Sequence, residues 1–450
     1  MVCGLSLFTD LYQLSMAQAH FTLGRHQRRV VFHAFFRRPP YGGGYAVSAG
    51  LGTWLEQLAQ LAFSDEELAF LRTVRALDGG ALFDPRFLDY LATLKLELDV
   101  DAMPEGRVAF ALEPLVRVEG ELLGAQLVET ALLNAVGFQT LIATKAARMA
   151  QAAGSSSVIE LGARRAQGFD AGVFASRAAT IGGADATSNV LAAARYGLPL
   201  VGTMAHAWVM SFDSEQEAFD AYVSALPGHA ALVVDTYDTA RGLDRAIGAA
   251  RSLAPRGQRL SSVRIDSGEL DAQSRFARAR LDAAGLFDTR IVVSDDLDEY
   301  AVERLVRSGA PIDVYGVGTR LVTGGEHSSL GLVYKLGAIR SGAGWRAVQK
   351  RAGDSGKSSL PGRLGVERSL AGGELGGDRV APASTLERDL LVPVLRAGHL
   401  VHQESLESAR QRARDDIARL PEAVRRLRDP ETYPVRLDVP DPSTDHPAAR

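Results

Sequence analysis

A chain of 450 residues and 48.1 kDa is long enough for two or three domains, or for one barrel with an appendage. Hydrophobic residues are 46% and charged residues 23%, which excludes disorder over the whole chain. Lys+Arg number 50 against 54 Asp+Glu, a net charge of −4, so there is no basic surplus for a nucleic-acid partner. The lone Cys3 excludes an internal disulfide framework and a cysteine-rich metal site. No uninterrupted apolar run is read as long enough to span a bilayer, and the start lacks a basic leader region. The expectation is a cytoplasmic protein with no membrane partner.

In chain order, Phe8 to Phe21 predicts a helix that Thr9 or Asp10 caps. Val30 to Phe36 alternates as a strand does, and the Pro-Gly-rich stretch from Pro39 to Tyr45 reads as a loop. Ser64-Asp65-Glu66-Glu67 is a capping box opening a helix through Val74. Arg107 to Glu119 predicts two short strands around Pro114. Leu122 to Gln151 predicts helix with a break at Gly137.

From residue 158 the pattern changes. Strands are predicted at Val158 to Leu161, Ala171 to Phe174, Leu200 to Gly202, Ala231 to Asp235, Ser262 to Ile265, Arg290 to Val293 and Ile312 to Tyr315. Amphipathic helices lie between most of them. This βα alternation predicts parallel strands with crossover helices, and suits an α/β barrel, irregular and TIM-like, better than two separate sheets. After Thr323 the alternation stops. Gly331 to Ile339 with Trp345 to Lys350 resembles a hairpin, and residues 351–365 read as a mobile loop. Ser405 to Arg428 reads as one charged helix with a solvated face, and residues 436–450 as a disordered tail.

Polar residues cluster just after the predicted strands. They are Arg164-Arg165, Ser176-Arg177, Thr203 with His206, Asp235-Thr236, Arg264 with Asp266, Ser267 and Gly268, Ser294-Asp295-Asp296, and Gly316-Val317-Gly318-Thr319. In a parallel barrel those ends converge on one rim, where such barrels place their chemistry. Helix capping accounts for any one of these clusters, but caps do not call for arginines and a histidine. Paired arginines suit carboxylate or phosphate. Gly316, Gly318 and Thr319 offer close backbone approach and a hydroxyl to an anion. His206 among small residues can serve as acid, base or nucleophile. Asp235, Asp266, Asp295 and Asp296 can hold Mg²⁺ or stabilise a developing cation. The rim therefore suits a phosphorylated substrate with a second anionic partner.

Several of these motifs resemble the nicotinate phosphoribosyltransferases. The resemblance runs through Thr9-Asp10-Leu11-Tyr12-Gln13, Glu129-Thr130 and Leu133-Asn134. It continues through Leu161-Gly162-Ala163-Arg164-Arg165-Ala166-Gln167-Gly168, Gly202-Thr203-Met204-Ala205-His206 and Arg264-Ile265-Asp266-Ser267-Gly268-Glu269. Tyr315-Gly316-Val317-Gly318-Thr319 and Leu332-Val333-Tyr334-Lys335-Leu336 complete it. It implies an irregular α/β barrel over residues 121–330 and a smaller N-terminal α/β domain, 1–120, completed by a C-terminal segment, 331–435. The implied reaction takes nicotinate and phosphoribosyl pyrophosphate to nicotinate mononucleotide and pyrophosphate. ATP is a co-substrate and Mg²⁺ the metal.

The resemblance also implies roles. His206 becomes phosphorylated by ATP, and Asp266 helps Mg²⁺ or the ribosyl cation. Tyr12 stacks on the pyridine ring, with Asp10 beside it, and the pair completes the partner's site in a homodimer. Arg164 and Arg264, with Arg165 and Asp235 near them, are candidates for nicotinate carboxylate or phosphate, Arg164 being preferred for the carboxylate. Ser294, Asp295, Gly316, Gly318 and Thr319 hold the 5′-phosphate, and Asp185 lies near the base. The alternatives are a nicotinamide-specific or quinolinate-specific relative, a phosphate-binding barrel lyase or isomerase, and a non-catalytic sensor.

Overall fold

The structure, a computed structural model, describes residues 5–350 and 359–442. Cys3, Lys357 and residues 443–450 of the expected tail lie outside the described residues. The chain divides into two compact units, Met1–Thr144 with Ser329–Arg450, and Lys145–Ser328. The sequence boundaries stood at 120/121 and 330/331.

The first unit is built on a seven-stranded antiparallel sheet. Its order is Gly344–Ala347, Val333–Ser341, Arg29–Phe35, Val116–Glu121, Asp99–Ala102, Val392–Arg396, His399–Leu400. Val30, Phe32, Val100, Val116 and Val118 pack with Leu132 and Val136 of the helix Glu129–Ala153 in one apolar core. A second cluster joins Leu14 and Ala17 of Leu11–Thr22 to Leu68 and Leu71 of Asp65–Thr73 and to Phe87 and Leu91 of Pro85–Ala92. The Ser64 capping box forms with both of its bonds.

The C-terminal segment supplies a hairpin, Leu364–Ala371 with Glu374–Pro382, to which Val435–Leu437 pairs in parallel. It is held to the N-terminal segment by buried charge. Within the segment Arg368 grips Asp378 at 2.6–3.0 Å and the Tyr433 hydroxyl donates to Asp378 at 2.9 Å, while Arg368 reaches Glu113 of the N-terminal segment at 3.8 Å. Asp416 accepts from Arg107 at 2.8 Å and from the Val108 N–H at 3.0 Å. Such pairs are costly to break singly, because each leaves a charge buried alone.

The second unit carries six parallel strands in the order Ala186–Thr187, Ser157–Glu160, Val314–Val317, Arg290–Ser294, Ser262–Ile265, Ala231–Val233. All six point one way, so their C-terminal ends share one edge. Crossover helices such as Thr239–Leu253 and Leu270–Ala283 follow strands, as parallel connections require.

Four expectations are corrected. Ala171 to Phe174 is not a strand but lies in the helix Phe169–Gly182, so Ser176 and Arg177 sit mid-helix rather than at a strand end. Gly168, at φ 106, turns the chain into that helix. Leu200 to Gly202 forms only a single parallel bridge, Leu200 to Thr187. The helix over 122–153 is interrupted at Val128, between Leu122–Leu127 and Glu129–Ala153, while Gly137 is continuous helix with Leu332 packed over it. The charged C-terminal helix ends at Ala418 before Pro421, and its inner face buries Ala409, Ala413 and Asp416.

The stretch Leu122–Ala153 is, by length and composition, apolar enough to cross a bilayer, but 72% of its apolar window is buried inside the fold. That burial marks a core helix.

Candidate functional site

Predicted rim residues from several strand ends meet where those ends converge. Arg264, on Ser262–Ile265, is held three ways. Its Nε donates to Ser294 Oγ at 2.7 Å, and its two terminal nitrogens donate to Asp266 Oδ1 at 2.7 Å and Thr203 Oγ1 at 3.3 Å. The Ser294 hydroxyl also donates to Asp266 Oδ1. Burial alone would raise the Asp266 carboxyl. The Ser294 hydroxyl, the Arg264 guanidinium and His206 together outweigh that and hold it below the usual carboxylate range.

Asp235, one strand over, is almost wholly buried. Its Oδ2 accepts the Asp266 N–H at 2.8 Å and the Ser267 hydroxyl at 2.7 Å, while Oδ1 has no hydrogen-bond partner among the described residues. His206 opens the short helix His206–Met210. Its Nδ1 lies 3.1 Å from Thr236 Oγ1, and its Nε2 lies 3.5 Å from Asp266 Oδ2 and 4.0 Å from Asp235 Oδ1. A proton on Nε2 facing two carboxylates leaves Nδ1 to accept from Thr236.

The arginine pair stands on the neighbouring strand end. Gly162–Arg165 makes a tight turn after Ser157–Glu160, closed by the Arg165 N–H on Gly162 O at 2.7 Å. Arg164 and Arg165 are both exposed, and Arg164 donates only to Leu161 O at 3.2 Å. Neither has a carboxylate partner among the described residues.

Space at Gly316 is tight, since a Cβ there would stand 2.6 Å from Leu161 Cδ1 and 3.3 Å from Ser294 Cβ. Gly318 leads into the exposed Thr319, at the start of a four-residue turn of helix. Asp295 is set apart from the Arg264 cluster. It accepts the Asp296 N–H at 2.8 Å and lines a cleft of about 490 Å³ with Glu269, Asp271 and Arg304. Asp185 lies at the opposite end of the sheet, exchanging bonds with the Val158 N–H at 3.1 Å and Val158 O at 2.8 Å.

In the first unit, two of the motifs clasp each other. Asp10 accepts from Thr130 Oγ1 at 2.9 Å, and Gln13 donates to Glu129 at 2.6 Å. Burial raises the Glu129 carboxyl above its ordinary range, with Gln13 and the Lys335 ammonium pulling the other way. Tyr12 between them stays half exposed, at 49%. Tyr334, next to Lys335, donates to Ala125 O at 2.7 Å and stacks on Phe32 at 4.6 Å.

One residue of the rim escaped the sequence reading. Glu160 is fully buried at the end of its strand, with Ser176 and Thr187 donating to it at 2.8 and 2.6 Å and the Gly162 N–H closing on it. Its only signature is an acid at an inward position of an apolar strand.

A parallel α/β unit that gathers a histidine, a fixed arginine, a serine and two carboxylates at one strand edge has the layout of an enzyme site. Three family descriptions match the chain: nicotinate phosphoribosyltransferase (NAPRTase) N-terminal domain over residues 7–137, nicotinate phosphoribosyltransferase (NAPRTase) family over 157–371, and nicotinate phosphoribosyltransferase C-terminal domain over 378–439. A nicotinate phosphoribosyltransferase of Mycobacterium tuberculosis is 42% identical over 437 residues, covering 96% of this chain and 91% of that protein. The Bacillus subtilis enzyme of the same name is 38% identical over 464 residues, covering 96% and 93%. The crystal structure of human nicotinic acid phosphoribosyltransferase superposes with a TM-score of 0.83 at 32% identity, covering 96% of this chain and 98% of that one. The chain belongs to the nicotinate phosphoribosyltransferase family.

Proposed function

We propose that the chain transfers the phosphoribosyl group of phosphoribosyl pyrophosphate to nicotinate, giving nicotinate mononucleotide and pyrophosphate, with ATP hydrolysis coupled through His206. The observation that carries this reading is the convergence of His206, Asp235, Arg264, Asp266 and Ser294 on one strand edge.

In transfer, the bond from the anomeric carbon to pyrophosphate breaks with its electron pair leaving on pyrophosphate, and the pyridine nitrogen forms the new bond. Positive charge builds on the ribose, as in glycoside cleavage. Asp266, held ionised, stabilises that charge more than it stabilises the neutral ground state. Arg264 fixes the direction of the Asp266 carboxylate. Arg164 and Arg165, free of acid partners, offer bidentate donors to the nicotinate carboxylate and substrate phosphate. Ser294, Asp295, Gly316, Gly318 and Thr319 are assigned to the 5′-phosphate.

In coupling, the neutral imidazole of His206 attacks the terminal phosphorus of ATP, ADP leaves with the electron pair of the broken P–O bond, and the ring's N–H proton passes to a facing carboxylate. Water later takes the phosphoryl group, regenerating the imidazole. The added charge and acceptors of a phosphohistidine alter how pyrophosphate is held.

The residues fit Mg²⁺, which takes one or two carboxylates and completes its shell with water and substrate phosphates. The Asp235 oxygen without a partner and Asp266 Oδ2 both lie within 4.0 Å of His206 Nε2. Asp235 and Asp266 would hold Mg²⁺ there, and the ion would supply neutralisation of charge developing on pyrophosphate.

The parallel bridge from Thr187 to Leu200 extends the six-stranded sheet and supports closure into an irregular barrel. A homodimer in which Asp10 and Tyr12 complete the partner's site belongs to the same proposal. Half-exposed Tyr12, beside the Asp10–Thr130 clasp, offers a free aromatic face for it.

The test is pyrophosphate release from phosphoribosyl pyrophosphate and Mg²⁺, with nicotinate or nicotinamide, each with and without ATP. Release with nicotinate, raised by ATP, is expected. Release with nicotinamide alone overturns the substrate assignment, and indifference to ATP overturns the coupling.

A further inference from the structure

We propose that Glu160 is the positioning residue of the arginine turn: a buried carboxylate that sets where Arg164 and Arg165 project. The inference rests on the reading that those arginines bind an anionic group of the substrate.

Glu160 ends the strand Ser157–Glu160 with no solvent exposure. A buried carboxylate normally needs a cation or a full set of donors. Among the described residues no cation pairs with it, but donors reach it from three directions. One oxygen takes the Gly162 N–H, the first amide of the arginine turn. The other takes Ser176 Oγ at 2.8 Å, from the helix Phe169–Gly182 that follows the turn, and Thr187 Oγ1 at 2.6 Å, from the neighbouring strand. Both hydroxyls are themselves located. Asn189 Nδ2 donates to Ser176 Oγ at 3.2 Å, and the Asn189 N–H donates to Thr187 Oγ1 at 3.0 Å. The carboxylate therefore ties the start of the turn to the element after it and to the strand beside it.

The absence of a cation matters for the chemistry. A guanidinium satisfying Glu160 would place a second positive group beneath the turn. Neutral donors satisfy the carboxylate instead and leave the two arginines as the turn's unpaired charge. Gly162 is also confined on its other side, because a Cβ there would lie 2.8 Å from Gly318 O. The turn is thus held from below by Glu160 and from the side by the next strand's loop. An anion-binding group held this way loses little freedom on binding, which is how preorganisation raises affinity.

The experiment compares Arg164→Ala, Arg165→Ala, Glu160→Ala and Glu160→Gln by steady-state kinetics with nicotinate and phosphoribosyl pyrophosphate varied separately, alongside thermal melting. The arginine variants first define which KM the turn controls. Glu160→Ala is expected to raise that same KM about tenfold with kcat within about threefold. Glu160→Gln is expected to recover most of the loss, since its amide oxygen still accepts from Gly162 N–H while the two hydroxyls reverse to accept from its NH₂. If Glu160→Ala does not accumulate as folded protein, Thr187→Val, which removes one donor, carries the same test at about threefold.

A Glu160→Ala enzyme that loses kcat and both substrate affinities together, in step with its melting temperature, overturns the proposal and leaves a purely structural acid. An unchanged KM does the same. If the arginine variants leave both KM values unchanged, the reading of the turn itself fails, and that result is distinct from either of the others.

Discussion

Asp235 accepts the backbone N–H of Asp266 at 2.8 Å, so the end of one parallel strand fixes the residue proposed as the charge-stabilising carboxylate at the end of the next. Asp266 is thereby located twice, by its amide and by the Arg264 and Ser294 bonds on its side chain. Asp266→Asn keeps the size and the backbone bond but removes the charge. We expect kcat to fall by about 10²–10³, the usual cost of losing one preorganised electrostatic contact to a transition state. The melting temperature should move little, because the site is partly exposed and other bonds hold the loop. Initial rates and a melting curve on the same preparation check this. A variant that melts early would make Asp266 a structural acid.

His206→Ala should remove stimulation by ATP while leaving slow, uncoupled transfer. The imidazole contacts Thr236 and faces two carboxylates, none of which needs the ring in order to fold. Labelled γ-phosphate from ATP should enter the wild-type protein as an acid-labile adduct and be absent from the variant. ATP stimulation surviving in the variant would end the phosphohistidine role.

The parts of this molecule legible in its sequence are those where local chemistry and global fold agree. Ser262–Ile265 is a strand by β-branched composition, and its following Asp266-Ser267-Gly268 reads as a rim loop. The Ser64–Glu67 box declares its helix within four residues. Ala171 to Phe174 misled because a short apolar run has no period long enough to separate strand from helix. Glu160 was not legible because its two side-chain donors stand 16 and 27 residues away, and an acid at an inward position of a short apolar strand is too weak a local signal. Arg368 is similar: a charged residue within the hairpin strand Leu364–Ala371, whose burial depends on Asp378 across the hairpin and on Asp416 from the distant helix Leu406–Ala418. Asp185, a candidate by resemblance alone, carries no local pattern of its own, and in the structure it exchanges bonds with Val158 just before the strand Ala186–Thr187.

His33 gives the fold a pH dependence separate from the site. It is fully buried in the central strand, and its Nε2 accepts the Leu364 N–H at 3.2 Å. Burial first, then the Arg117 and Arg363 charges, push its pKa down from 6.5 to about 3. The unfolded chain takes up a proton below its ordinary value while the folded chain does not. The contribution is therefore fully present above pH 6.5 and is lost as pH falls toward 3, by up to about 1.4 kcal/mol per pH unit. His33→Gln has no proton to gain. Urea midpoints for wild type and variant should differ most at pH 7 and converge by pH 5. Parallel curves would show that His33 titrates normally in the folded state.

Gly162 tests the close approach on which the rim depends. Its backbone, at φ −96, is open to any residue, so the reason for glycine is space. A Cβ would stand 2.4 Å from Val322 Cγ1 and 2.8 Å from Gly318 O. Val322 has somewhere to turn only if the short helix Thr319–Val322 moves with it, because the Val322 N–H is bonded to Gly318 O at 3.1 Å. Gly162→Ala must therefore push apart the two loops that follow adjacent strands. Overpacking of this kind costs about 1–3 kcal/mol. We expect a lowered melting temperature together with weakened binding of the anionic substrates, since the arginine turn and the Gly318–Thr319 loop move together. Gly228→Ala, where a Cβ meets nothing within 4 Å, is the control and should leave both unchanged. Equal melting temperatures for the two variants would mean the loops yield without cost, and that the approach of Gly162 to Gly318 does not hold the rim in shape.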